Sequence, residues 1–121
     1  MLFDTTQLAL QGVIAGAAQR HDALAANLAN ADTPGYQRVD VDFHGALAAA
    51  MGSGDDSRTA LEGLSFSPTK DASAGATRAD GSTVDVDAES AKLAANGLEY
   101  EQLATAAKTR LDILKIAMGV Q

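Results

Sequence analysis

The sequence predicts a mainly α-helical protein: two long terminal helices packed as an antiparallel, coiled-coil-like pair, with a small extended or flexible segment between them. Three observations predict it. Apolar side chains recur in alternating steps of four and three residues at both ends of the chain. A helical run halts abruptly at Asp32-Thr33-Pro34-Gly35. The middle of the chain then loses its apolar content to Gly, Ser, Asp and Thr. The whole reads as one domain of 121 residues: helix over about 4–31, turn and extended segment over 32–43, flexible middle over 44–86, and a second helix over about 88–118.

The first helix is announced by Asp4 as N-cap and Gln7 three residues on, a capping-box arrangement, with Phe3 and Leu8 at the hydrophobic-staple positions. Its seam runs Phe3, Gln7, Leu10, Ile14, Ala17, His21, Leu24, Leu28 and Ala31. A repeat of about 3.5 residues marks a face turned to another helix. Pro34 lacks an N–H and restricts Thr33, so the helix must end before it. Asn27 and Asn30 read as capping and turn residues at that end.

Beyond the turn, Tyr36, Arg38, Asp40 and Asp42 alternate with Val39, Val41 and Phe43, which predicts a short extended segment with one apolar face. Residues 44–51 are Ala-rich and read as a short helix. Between Gly52 and Asp87 seven acids face three bases, and within 52–84 only Leu61, Leu64, Phe66 and Val84 are large and apolar. Such composition offers little burial to offset ordering entropy, so the segment is expected to be loosely packed, with Asp80-Gly81 as a turn.

The second helix is predicted from Asp87 as N-cap to Gly119 as terminator. Its seam is Leu93, Gly97, Tyr100, Ala104, Ala107, Leu111, Leu114 and Met118, with a second stripe at Leu98, Leu103, Ile113 and Ile116. Glu89, Glu99 and Glu101 lie early and Lys108, Arg110 and Lys115 late, in line with the helix dipole. Gly97 costs about 1 kcal/mol inside a helix and is tolerated where a backbone must come close. Two Ala-rich seams are a marginal fold alone, which predicts completion of the pair by neighbouring subunits.

Composition excludes several functions. A net charge of −7 argues against nucleic-acid binding and against docking on anionic lipid. There is no Cys, so disulfides and Cys-ligated zinc are ruled out. His21 and His44 are far apart and lack metal-ligand spacing. The pairs Asp40/Asp42 and Asp85/Asp87 are the one arrangement suggestive of acid–base work, but acids in such turns serve as caps. No nucleophile elbow, P-loop or dinucleotide fingerprint is present. The sequence therefore predicts no enzyme, no cofactor, no metal and no small-molecule substrate. The first charge is Asp4, with no basic start, so no cleaved signal peptide is expected.

Ala25-Ala-Asn-Leu-Ala-Asn-Ala-Asp-Thr-Pro-Gly-Tyr36, followed by Val39-Asp-Val-Asp-Phe43, closely resembles the N-terminal signature of flagellar rod and hook proteins. Within that group the wording looks most like the proximal-rod family, FlgB. Val84-Asp-Val-Asp87, Ala91-Lys-Leu-Ala, Asn96 and Tyr100 look like the family's second signature. Leu28, Gln37 and Gly97 depart from residues common there. The resemblance implies terminal helices lining a hollow helical shaft and a structural role in the periplasm-spanning rod. It also implies export by the flagellar type III system without a cleaved signal. Partners would be copies of itself, other rod proteins, the rod–ring adaptor protein, the membrane ring and the export gate. Asn27, Asn30, Asp32, Thr33, Pro34, Gly35 and Tyr36 form the signature turn. Leu10, Ile14, Leu24, Leu28, Leu93, Tyr100, Leu111, Leu114 and Met118 are the seam residues. Phe43 and Leu47 fit the spacing of an early-substrate export-gate motif, and equally that of two core residues one helical turn apart. The competing reading is a helical subunit or interaction protein of another type III secretion assembly, which should lack the Asp-Thr-Pro-Gly-Tyr turn.

Overall fold

A computed structural model describes residues 4–120. Phe3, assigned above to the seam and the staple, lies outside the described residues.

Helix α1 runs Thr5–Ala29. Asp4 caps it by accepting the Gln7 N–H at 2.9 Å. The other half of the expected capping box does not form: the Gln7 side chain is buried, with Oε1 unpartnered among the described residues. At the far end Asn30 donates its side-chain amide to the Ala26 carbonyl at 2.8 Å. Thr33-Pro34-Gly35-Tyr36 then turns, with the Tyr36 N–H on the Thr33 carbonyl and Gly35 at φ +73°. Proline second and a left-handed glycine third is the sequence demand of a type II turn.

Strand β1 (Val39–Asp40) pairs antiparallel with β2 (Thr69–Lys70), Val39 opposite Lys70. Between them lie α2 (Phe43–Met51), a 3-10 turn (Gly54–Asp56) and α3 (Ser57–Glu62). Asp42 caps α2 through the Gly45 N–H. The middle thus carries more regular structure than its composition suggests. The reason is economy: Leu61 and Val84 are buried although few apolar residues surround them in sequence. Asp80-Gly81 forms the expected turn, closed by the Gly81 and Arg78 amides.

Helix α4 runs Val86–Ala117. Its N-cap is Asp85, accepting the Ala88 N–H at 3.1 Å, which corrects the expected cap at Asp87. Either acid suits the position; the backbone leaves the extended region at Asp85, so the helix starts there. Gly119, at φ +72°, ends it, and the Val120 N–H bonds the Lys115 carbonyl.

The long helices pack antiparallel. Asn27 meets Glu89, the Asn96 side chain donates to the Ala17 carbonyl, and Arg110 reaches Asp4. On its other side α1 packs against α2 and α3. Phe43, fully buried, seats its side chain where Gly16 has none, and Phe66 meets it edge-on at 6.5 Å. Val13, Ala17, Ala23 and Val41 complete this cluster. A second cluster of Ala9, Ala50 and Leu61 joins it through Leu47.

Candidate functional site

Two features stand out: the signature turn with what it holds, and the exposed end of α4.

Asn27 is the centre of the first. It is fully buried and spends both ends of its amide on other elements. Its Oδ1 accepts the Val39 N–H at 2.9 Å and the Tyr36 hydroxyl at 3.3 Å; its Nδ2 donates to the Val39 carbonyl at 2.7 Å and to Glu89 at 2.5 Å. A residue expected merely to finish α1 therefore ties α1, the extended segment and α4 together. Around it the turn docks on the Asp80-Gly81 turn. Gly35 donates to the Asp80 carbonyl, Arg78 donates to the Ala31 carbonyl, and a Cβ at Gly81 would stand 3.3 Å from Gly35 Cα. Asp32, Thr33 and Pro34 lie on the exposed outside of this turn.

Next to Asn27 lies a buried ionic network that composition did not reveal. Arg38 is 3% exposed. It grips Glu89 with Nε and Nη2, both at 3.0 Å, and pairs with Asp40 and Asp71. Arg20 of α1 closes the network on Asp40 at 2.8 Å. Glu89, buried in the first turns of α4, thus receives a two-pronged guanidinium and the Asn27 amide. Burial pulls the Arg38 guanidinium pKa down, but the hydrogen bonds and charges of Glu89 and Asp40 outweigh it and raise it further. Burial pushes Asp40 up, yet Arg20, the Val41 amide and Arg38 hold it below the ordinary carboxylate range. Asp71 is lowered by the Ser73 hydroxyl and amide and by Arg38.

Both aspartates are held low in the folded chain. Their contribution to stability is therefore complete above the unfolded carboxylate pKa of about 4 and is lost as pH falls through the lowered folded values. Chemical denaturation of the purified chain should give a constant midpoint down to about pH 5 and a falling one below about pH 4. A midpoint that does not fall at acid pH would show that the network contributes nothing.

Three of the four acids in the two pairs are spent on structure. Asp40 is in the network, and Asp42 and Asp85 are caps. No three His, Cys, Asp or Glu side chains among the described residues are grouped to hold a metal ion. His44 stacks on Phe43 and meets Glu99 at 2.6 Å. His21, expected at a helix contact, is exposed; the small Ala18 and Gly97 beside it leave the two helices' surfaces open there.

Seam residues divide into two groups. Leu24 is fully buried, and Leu10, Ile14, Leu28, Leu93 and Leu114 are partly covered. Tyr100, Leu111 and Met118 are exposed. For Leu111 and Met118 the physical reason is length; Tyr100 stands beside Ala18 and His21 of α1, at the edge of the helix pair. At 1.5 Å per residue the 32 residues of α4 reach about 48 Å, whereas the 25 residues of α1 reach about 37 Å. Past the Arg110–Asp4 contact α4 continues, and Ile113, Ile116, Met118 and Val120 lie uncovered along it. Of the second stripe only Leu103 packs on the core, while Leu98 is exposed. Phe43 and Leu47 are core residues here. No helix among the described residues is long and apolar enough to cross a membrane.

The end of α1 and the Asn-anchored turn that follows it are the part of the chain that matches the class of flagellar basal body rod proteins. The profile of the family described as "Flagella basal body rod protein" matches residues 14–37, the end of α1 and the turn. The chain is 39% identical over 99 residues to the flagellar basal body rod protein FlgB of Escherichia coli (strain K12), covering 69% of this chain and 71% of that one. It is 37% identical to the protein of the same name from Salmonella typhimurium (strain LT2), with 69% and 71% covered. The Yersinia ruckeri protein is 37% identical over 101 residues, with 69% and 72% covered. The chain belongs to the FlgB family.

Proposed function

We propose that this chain is a structural subunit of the proximal rod of the bacterial flagellar basal body, and that it polymerises through its terminal helices into the hollow shaft of the motor. The observation that carries the reading is the uncovered apolar end of α4, with Leu111 and Met118 on one side of the helix and Ile113 and Ile116 on the other. Leu111, Ile113, Ile116 and Met118 follow one another on a helix that has outrun its partner. Exposed aliphatic side chains gathered in this way are costly in a lone chain and mark contact with other protein. Asp40, Asp42 and Asp85 are meanwhile committed to an ion-pair network and to helix caps, and His44 to Phe43 and Glu99. Neighbours on this reading are copies of the chain, other rod proteins, the rod–ring adaptor protein and the membrane ring. Export through the flagellar type III gate precedes assembly. Phe43 and Leu47 serve the gate only while the chain is extended, before they enter the core. The single-domain division of the chain is part of the same proposal, with the helix pair as wall and residues 32–86 as its outer appendage.

Two substitutions separate folding from assembly. Leu24→Asp places a charge in a fully buried site and should cost several kcal/mol of stability. Leu111, 48% exposed, accepts a charge in the free chain, so Leu111→Asp should change stability by less than about 0.5 kcal/mol. It should still abolish incorporation into purified basal bodies, and with it motility, in cells carrying only that variant. Motile cells with normally loaded basal bodies would count against assembly through α4.

A further inference from the structure

Gly97 lies in the interior of α4, where a glycine costs about 1 kcal/mol relative to alanine. Nothing among the described residues accounts for it. A Cβ built there meets no atom within 4 Å, whereas the same construction at Gly16 collides with Phe43. The glycine instead floors a notch of about 350 Å³ between the helices, walled by Ala18, His21, Asp22, Tyr100 and Glu101. This notch faces away from the core: Ala18 lies about 200° round α1 from Gly16, which carries the Phe43 contact.

We propose that the Gly97 notch is a socket for the end of α4 of a second copy, with Ile116 as the inserted side chain. The proposal rests on the rod-subunit reading and names the contact within it. Ile116 is the most exposed large apolar side chain described, at 76%, and Met118 beside it is exposed too. Their charge surroundings are complementary. Asp22 and Glu101 stand on the rim of the notch, and neither forms a salt bridge among the described residues. Lys115, adjacent to Ile116, forms none either, and Asp112, one turn before Ile116, is paired with Lys108 at 2.7 Å, so the bases Lys108 and Lys115 outnumber the acid around the plug. In a chain of net charge −7, copies repel unless a contact brings opposite local charges together. An acidic socket and a basic-flanked apolar plug do so. Socket and plug are about 28 Å apart along one helix, so one copy cannot fill its own notch. A contact between different patches of successive copies is heterologous, and repetition of it produces an open filament rather than a closed pair.

Sedimentation velocity on the purified full chain tests this. The wild-type chain should associate progressively with concentration. Gly97→Leu fills the socket and should weaken association at least about tenfold, a loss of about 1.4 kcal/mol. Its thermal melt, read by circular dichroism at low concentration, should be no lower than wild type, because the added side chain meets empty space. Ile116→Asp removes the plug and should associate equally poorly. A mixture of the two variants retains one intact socket on one chain and one intact plug on the other, and should form dimers and nothing larger. Chain-like association by Gly97→Leu alone, a mixture that stays monomeric, or a wild-type chain that never associates would overturn the socket. None of those results touches the rod-subunit reading, which the Leu111→Asp basal bodies decide separately.

Discussion

Replacing Arg38 with Met should cost about 3–5 kcal/mol of folding stability, the largest effect expected of any polar substitution in this chain. The argument starts from Glu89. Its side chain is 1% exposed and is neutralised by the two-pronged guanidinium at 3.0 Å. Methionine fills much of the arginine's volume but offers no charge and no donor, so Glu89 would lose its charge partner in a buried site. That is expensive. Asp40 keeps Arg20, and Asp71 keeps Ser73, so the loss concentrates on Glu89. Changing both partners, Arg38→Met with Glu89→Met, should recover much of the loss, because a buried pair stabilises little against an apolar pair of similar volume. Denaturant titrations of the single and double variants measure the difference. An Arg38→Met chain within about 1 kcal/mol of wild type would mean that water reaches Glu89 and that the network is not a closed, buried unit.

The network also shows where the sequence stops being legible. Local chemistry was readable because it is written locally. Asp4 caps α1, Pro34 and Gly35 shape the turn, and Gly119 ends α4; in each case the residue acts on backbone within a turn of itself. The helix pair was readable because its repeat is periodic. Arg38 was not. Its alternation with Val39 and Val41 placed it on a polar strand face, which sequence alone equates with solvent. That face is in fact roofed by Asp71, from 33 residues away, and by Glu89, from 51. No pattern in one chain announces a pairing across such separations. Asn27 is an intermediate case. Its place at the end of α1 was evident, but its amide serves Val39, Tyr36 and Glu89, which come together only in the fold. The length of α4 left without a facing helix is hidden in the sequence for a related reason. Heptad spacing shows that a face is apolar, and it does not show how far the facing helix extends.

Gly16→Ala and Gly97→Ala should change stability in opposite directions, although both exchange a helical glycine for the best helix former. In each case the intrinsic gain is about 1 kcal/mol. At Gly97 that gain stands alone, since a Cβ meets nothing, and the melt should rise. At Gly16 the new methyl would fall on the Cβ of Phe43 and 2.7 Å from its Cγ. Phe43 is fully buried at the first residue of α2, so neither the ring nor the backbone beneath it has room to retreat. Overpacking of this kind costs about 1–3 kcal/mol, enough to reverse the helix-propensity gain. The collision is with Cβ, which sets a stricter condition. Phe43→Ala should itself cost about 3–5 kcal/mol by emptying the centre of the core. It leaves the Cβ in place, so it should not relieve Gly16→Ala, and the double variant should be no more stable than Phe43→Ala alone. Denaturation of the four chains settles the point. If Gly16→Ala proved stabilising, or if removing the ring rescued it, then α2 would be free to slide along α1, and the rigid seat that Gly16 provides for Phe43 would not exist.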